Sequence, residues 1–442
     1  MGPTPLYDAL TAFAGENALR LHMPGHKGGN MPLPGFDALA AIDFTELPPT
    51  GDLFAGDGPI RAAEGLWAAA FGMAHCLFLT GGSTEGMLAA LTLACPPGSG
   101  ILLDRGCHRS VYNALAILDL QPVYLHGPWL ERAGVTGPID PDAVERALTA
   151  RPDIKILCIT SPTYYGVLSD IPALAAVLHR HGGILVVDAA HGAHLPFLGN
   201  GDLSAADLVV TSAHKTLPAL GQSALLFAGD AFSHRDLRRA AGLYGSSSPS
   251  YVLMASLDGA RAWMEDEGAA AYRTAAMGVA ALRKTFPCLS EGDAPLDPTR
   301  FVQLCDGFAV QKALETRGIY PEMADRDHVV YIFTCADRAQ DFARLSDALG
   351  GKEEAPLSAP PRGQKRPPPA ASMALSPRQA RFASHSTVLL ADAEGQVSAC
   401  QIAPYPPGVP VVAPGERIEK KNLAYLSEIG YNMQEKIEIV DL

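Results

Sequence analysis

Between residues 76 and 230 the chain alternates short apolar runs with segments of helical period. The runs are Cys76-Leu77-Phe78-Leu79-Thr80, Gly100-Ile101-Leu102-Leu103-Asp104, Pro122-Val123-Tyr124-Leu125, residues 154–159, Ile184-Leu185-Val186-Val187-Asp188, residues 207–211 and Ser223-Ala224-Leu225-Leu226-Phe227. Each is apolar throughout rather than at every second position. That pattern suits strands whose two faces are both covered. Helices are expected between them at 85–94, 110–118, 140–150 and 172–181, the third capped by Asp140 ahead of Pro141. This rhythm predicts an α/β fold: a large domain with a mostly parallel sheet flanked by helices. In such sheets ligands bind at the carboxyl ends of the strands.

The rest of the chain is arranged around this block. Residues 1–20 read as an amphipathic helix with Leu6, Leu10, Phe13 and Leu19 as its contacts. Leu21-His22-Met23-Pro24-Gly25-His26-Lys27-Gly28-Gly29 and residues 43–54 read as irregular loops, followed by a helix from about Pro59. Helices are expected from 231 to about 285, including 253–265. A smaller α+β region follows, with strands at 301–304 and 329–334 and a helix at 308–317. We divide the chain into an N-terminal arm and site loop (1–50), a cofactor-binding large domain (51–260) and a C-terminal α+β domain (261–442). Within the last, 353–371 is a Pro-rich loop or linker.

The totals exclude several classes. The 442 residues are 48% hydrophobic and 18% charged, an ordinary globular balance, and the net charge of −13 disfavours nucleic acid or anionic membrane as partner. No apolar run is long enough for a membrane span, and the N-terminus lacks the pattern of a signal peptide. Eight scattered cysteines without a C-x-x-C suggest free thiols in a reducing cytoplasm.

Four strand ends carry chemistry. Gly81-Gly82-Ser83-Thr84-Glu85-Gly86 joins a strand to a helix, with glycines for close anion approach and two hydroxyls at a helix N-terminus. It is neither a P-loop nor a dinucleotide fingerprint. His108, just beyond Asp104-Arg105-Gly106-Cys107, could stack on a flat ring or move a proton; a capping or surface role is the plain alternative. Asp188 ends the most apolar strand and could keep a pyridinium nitrogen protonated. His191 and His194 follow it, but no third ligand motif accompanies them, so no metal is expected. Thr211-Ser212-Ala213-His214-Lys215-Thr216 ends another strand. Its lysine can condense with an aldehyde, with Ser212 and His214 donating to a phosphate. Each piece alone has an ordinary structural reading. Together they make a pyridoxal 5'-phosphate site.

With these residues in place, the chain resembles the ornithine/lysine/arginine decarboxylase family of pyridoxal phosphate enzymes, in its short bacterial form. The likeness covers nearly the whole length. It runs through His22-Met23-Pro24-Gly25-His26-Lys27, Thr45-Glu46-Leu47, Asp52-Leu53, Gly82-Ser83-Thr84, Asp104-Arg105 with Cys107-His108, Pro162-Thr163-Tyr164-Tyr165-Gly166, Asp188 with His191, and Ser212-Ala213-His214-Lys215. It continues in Ser248-Pro249-Ser250-Tyr251, Asp297-Pro298, Gly318-Ile319-Tyr320-Pro321-Glu322, Tyr405-Pro406-Pro407-Gly408-Val409-Pro410 and Pro414-Gly415-Glu416.

The resemblance implies an aspartate-aminotransferase type of fold and α-decarboxylation of arginine, lysine or ornithine to CO2 and the corresponding amine, in polyamine biosynthesis. It implies Lys215 as the covalent anchor, Asp188 at the ring nitrogen, His108 on one ring face and Ala190 on the other, with His191 in the same site. Gly82, Ser83, Thr84, Ser212 and His214 would hold the phosphate. Ser247 or Ser248 would reach a neighbouring subunit's phosphate, so a homodimer or larger homo-oligomer is expected. Glu46, Asp52 and Glu322 are candidates for reading the cationic side chain. Cys400 stands where many relatives carry an acid, which leaves the substrate preference open. A fold-related aminotransferase or aldolase, using Arg105 or Arg109 on the substrate carboxylate, and a catalytically silent binding paralogue are the alternatives.

Overall fold

The seven apolar runs are strands in the computed structural model, which describes residues 2–16, 18–29, 31–350, 366–404 and 408–441. They are β1 (His75–Leu79), β2 (Gly100–Asp104), β3 (Gln121–Leu125), β4 (Ile156–Thr160), β5 (Ile184–Asp188), β6 (Leu208–Thr211) and β7 (Ala224–Ala228). The chain forms two compact units, Met1–Ala94 with Leu185–Arg273 and Cys95–Ile184 with Thr274–Leu442.

In the first unit β5 and β6 run parallel, pairing Val186 with Leu208 and Asp188 with Val210. β7 runs against β6 on one side and β1 on the other. β7 is thus an antiparallel exception within the expected mostly parallel order. The reason is the link from β6 to β7, which holds only the four-residue helix Ala213–Thr216. A parallel return needs a full crossover helix. β1, β5 and β6 still point the same way, so the turn after β1, Asp188 and the Lys215 segment leave the same edge. Leu77, Phe78, Val186, Val187, Val209, Val210, Leu226 and Phe227 are fully buried, as continuous apolar runs require.

Helices pack around these strands at Gly58–Phe71, Gly82–Ala94, His234–Ala241 and Tyr251–Trp263. The N-terminal helix is shorter than its sequence suggested, Pro5–Gly15. Leu6 and Leu10 are buried, but Leu19 lies beyond the helix and is 83% exposed. A remote cap serves this helix: the Asp258 carboxylate accepts from the amides of Leu6 (2.8 Å) and Tyr7 (3.1 Å).

In the second unit β2 pairs in parallel with both β3 and β4. Asp140 caps the helix Pro141–Ala150 through the Asp142 amide, as its position before proline predicts. Residues Arg300–Leu304, Met323–Ala324 and His328–Ile332 form a three-stranded antiparallel sheet, and His385–Leu389 pairs with Lys436–Val440. This is the expected α+β region, with its own core around Phe301, Tyr331 and Leu345 and a second around Leu390, Ile418 and Leu426. Residues 353–365 of the Pro-rich stretch, and Tyr405-Pro406-Pro407, lie outside the described residues. Among the described residues no helix is long and apolar enough to cross a membrane.

Candidate active site

The first unit gathers most of the predicted site. After β1 the chain passes Gly81 and Gly82, whose φ of +75° is the left-handed region that glycine adopts without strain. It then enters the helix Gly82–Ala94, earlier than the expected start at Glu85. The opening amides of a helix have no carbonyl partner within it, and the helix dipole favours an anion there. The Ser212 hydroxyl donates to Ser83 Oγ at 2.8 Å, so hydroxyls from the ends of β1 and β6 converge on this turn.

Next to Ser212 lies the helix Ala213–Thr216. His214 Nδ1 is 3.0 Å from the Ser223 carbonyl. A carbonyl only accepts, so Nδ1 carries a hydrogen and His214 can donate from Nε2 only when protonated. Lys215 Nζ lies 3.2 Å from His191 Nε2, and His191 is buried. Asp188 is 2% exposed and accepts from the Ala190 amide at 3.1 Å. Burial pushes its carboxyl above the usual carboxylate range; the Lys215 ammonium and the Ala190 amide pull it back. Ser247 and Ser248 sit on an exposed loop, where Ser246 Oγ accepts from the Ser248 amide.

Sequence reasoning passed over Glu85 as an ordinary helix residue. It is 5% exposed, accepts from the Gly81 amide at 2.7 Å, and its carboxyl is pushed up to about 7 by burial. The available signal was an acid in the first turn of a helix that is otherwise small and apolar.

Other predicted residues belong to the second unit. His108 is exposed and caps the helix Arg109–Ile117, accepting from the Ser110 amide through Nδ1. The preceding loop is shaped by Asp104, which accepts from the amides of Gly106 (2.8 Å) and Thr160 (3.3 Å). Cys107 is buried against the Cys158 carbonyl. Arg105 is not positioned as a substrate clamp. Its guanidinium is held by both Glu416 oxygens and by the carbonyls of Pro410 and Val411, and it lies 4.4 Å over the Tyr124 ring. The second unit also holds Glu322, which accepts from the Tyr164 hydroxyl, and Cys400, whose thiol points to the Glu438 carbonyl. In the first unit Asp52 closes a turn onto the amides of Phe54 and Ala55, and Glu46 accepts from Thr45.

An anion-favouring turn with two converging hydroxyls, a buried carboxylate and a half-buried amine suit three parts of pyridoxal 5'-phosphate: its phosphate, its cationic ring nitrogen and its aldehyde. The structure of Escherichia coli constitutive lysine decarboxylase superposes with a TM-score of 0.82 over 99% of this chain and 82% of that one, at 20% identity. The fold is therefore the aspartate-aminotransferase type of the pyridoxal phosphate enzymes.

The sequence matches are more specific. Residues 4–297 match the major domain of Orn/Lys/Arg decarboxylase and residues 365–435 its C-terminal domain. The chain is 30% identical over 457 residues to arginine decarboxylase of Bacillus subtilis, covering 96% of this chain and 93% of that protein. It is 33% identical over 463 residues to the B. subtilis protein YaaO, covering 96% and 94%. The chain belongs to the Orn/Lys/Arg decarboxylase family.

Proposed function

We propose that this decarboxylase removes the α-carboxylate of a basic amino acid as CO2, with pyridoxal 5'-phosphate as its cofactor and arginine as the first substrate to test. Arginine leads because the relatives aligned in sequence over 96% of this chain include arginine decarboxylases, whereas the lysine decarboxylases align in sequence over 59% of it. The observation that carries the reading is the grouping of Lys215, His191 and buried Asp188 beside the Ser83–Ser212 hydroxyl pair.

When bound, the cofactor supplies an electron sink for the pair left on Cα as CO2 departs. The chain's own groups do the rest. Lys215 provides the amine that anchors the cofactor and, once displaced by substrate, can return a proton to Cα. Asp188 holds a proton on the ring nitrogen by placing a negative charge beside it in a dry environment. Ser83 and Thr84 would donate hydroxyl hydrogen bonds to the phosphate from the Gly82 turn, Ser212 would donate from the end of β6 once its hydroxyl turns from Ser83, and His214 would donate from Nε2 when protonated. His191 orients the Lys215 amine. His108 and Ala190 are assigned to the two ring faces, and Ser247 or Ser248 to the phosphate of a second subunit in a homodimer. Eight scattered cysteines without a C-x-x-C support a reducing, cytoplasmic setting. The arm, large-domain and C-terminal divisions at 50 and 260 are proposed on the same basis as the site.

A transaminase would need an arginine for the substrate carboxylate, and the engagement of Arg105 by Glu416 counts against Arg105 in that role, leaving Arg109 as its candidate. The test is a panel of arginine, lysine and ornithine with added cofactor, following CO2 and the amine product. Release of CO2 and agmatine or a diamine, lost in Lys215→Ala, supports the reading. A keto acid without CO2 sinks it.

A further inference from the structure

The Glu85 carboxyl is wedged between two backbone segments of the first unit. Oε2 accepts from the Gly81 amide, and a Cβ added at Gly81 would lie 2.4 Å from that oxygen. Oε1 faces Gly245, where an added Cβ would lie 2.6 Å away and 3.1 Å from the Phe54 ring. Only glycine on both sides leaves room for this side chain. Gly81 begins the turn to Ser83 and Thr84, and Gly245 begins the loop to Ser246–Ser248. The side chain thus joins the turn that the proposed function assigns to this subunit's phosphate and the loop it assigns to a second subunit's.

This placement conflicts with an ionised carboxyl. Glu85 sits in the first turn of the helix Gly82–Ala94. A phosphate at that turn and a carboxylate within it would compete for the same partial positive charge and repel each other in a water-poor setting. Among the described residues no ion pair reaches Glu85. Arg238 and His234, on the helix His234–Ala241, are both engaged by Glu64. At the end of β6, Lys215 lies against His191 and His214 against the Ser223 carbonyl. Burial raises the Glu85 pKa, with the Gly81 amide opposing.

We propose that Glu85 is a positioning residue for the anion site, and that its wedged carboxyl takes up a proton when a phosphate docks on the Gly82–Thr84 turn. The carboxylate gains one H+ from solvent and becomes a neutral acid, still accepting from Gly81 through one oxygen. This inference rests on the cofactor reading and adds a proton to it: affinity for the phosphorylated ligand falls as pH rises above about 7.

The test uses the full-length protein without cofactor and 4'-deoxypyridoxine 5'-phosphate, which has no aldehyde and forms no bond to Lys215. Calorimetry in buffers of different ionisation enthalpy counts protons taken up on binding. Unphosphorylated 4'-deoxypyridoxine is the reference ligand. Glu85→Gln keeps an oxygen for the Gly81 amide but cannot titrate. At about pH 8 the wild type should take up about one proton more than Glu85→Gln, and should lose roughly tenfold more affinity per pH unit above 7. The phosphate's own titration is common to both proteins. Glu85→Ala, which loses the wedge, should weaken binding at every pH, and Glu85→Gln should restore it at about pH 6.

Equal proton counts and parallel pH profiles in wild type and Glu85→Gln overturn the inference while leaving the cofactor reading intact. If the phosphorylated ligand binds no better than the unphosphorylated one in either protein, the cofactor reading falls and this inference with it.

Discussion

Arg105 and Glu416, 311 positions apart, meet as a buried pair with both guanidinium–carboxylate contacts made, at 2.7 and 2.8 Å. The pair joins two motifs that are far apart in the chain. Asp104-Arg105 ends β2, and Pro414-Gly415-Glu416 lies in the C-terminal region. Pro410 and Val411 add their carbonyls, and Glu416 also accepts from the Ala413 amide. Arg105 therefore fastens the second unit internally and, three residues ahead of His108, fixes the base of the loop that carries it.

Breaking this pair should be costly. Glu416→Ala leaves a buried guanidinium uncompensated and should destabilise the fold by about 3–5 kcal/mol in urea unfolding. Arg105→Lys keeps the charge but loses the two-pronged geometry and should also destabilise. Replacing both with apolar residues should cost less than the sum of the single changes. Full additivity would show that the two side chains do not act as a unit.

Asp188 should matter to rate rather than to fold. Asp188→Asn keeps the shape at the end of β5 and removes the charge. We expect kcat to fall roughly 10²- to 10³-fold with circular dichroism unchanged. Near-native kcat would remove Asp188 from the proposed machinery.

Ser83 and Ser212 share one hydrogen bond, so their effects should not add. A hydroxyl donating to a charged phosphate is worth about 1.5–3 kcal/mol, or roughly ten- to a hundredfold in Kd for the cofactor. Equilibrium dialysis of Ser83→Ala, Ser212→Ala and the double variant measures both the loss and the coupling. Unchanged Kd in the double variant would place the phosphate elsewhere.

The N-terminal helix carries a pH dependence through Asp258. Burial pushes this carboxyl from 3.8 up to about 6, against the amides of Tyr7 and Leu6 and the Arg261 charge. Its folded-state value exceeds its unfolded one. Its stabilising contribution is thus fully present below 3.8 and lost as pH rises through about 6. Asp258→Asn stays neutral and can accept from the same amides. Its urea midpoint should gain on the wild type between about pH 4 and pH 7. A variant that instead loses ground over that range would show that the charged cap stabilises the helix.

The candidate groups at the strand ends were visible without coordinates, because a lysine, an acid and a Gly-Ser-Thr turn announce themselves by residue type and by following apolar runs. Local helix signals held for the same reason: Asp140 before Pro141 acts within a single turn. What misled was anything that depended on distant partners. Leu19 fits a helical stripe but lies outside the helix. β7 shares the apolar run of its neighbours yet runs against them, because direction depends on the connection and not on the strand. Arg105 has the chemistry of a carboxylate clamp, and its partner proves to be a carboxylate of this same chain.

Glu85 makes the division plain. Its neighbours in sequence mark a helix start and an anion-favouring turn, and no local pattern says more. Only the fold brings Gly245, 160 positions later, against its carboxyl and removes water from around it. The sequence by itself determined the α/β class, the family and the residue types at each strand end, because these are set by local periodicity and side-chain chemistry. The tertiary structure decided strand direction, which charges are spent on internal pairs, and which acid is held where ionisation is costly, because all three depend on burial and on partners far along the chain.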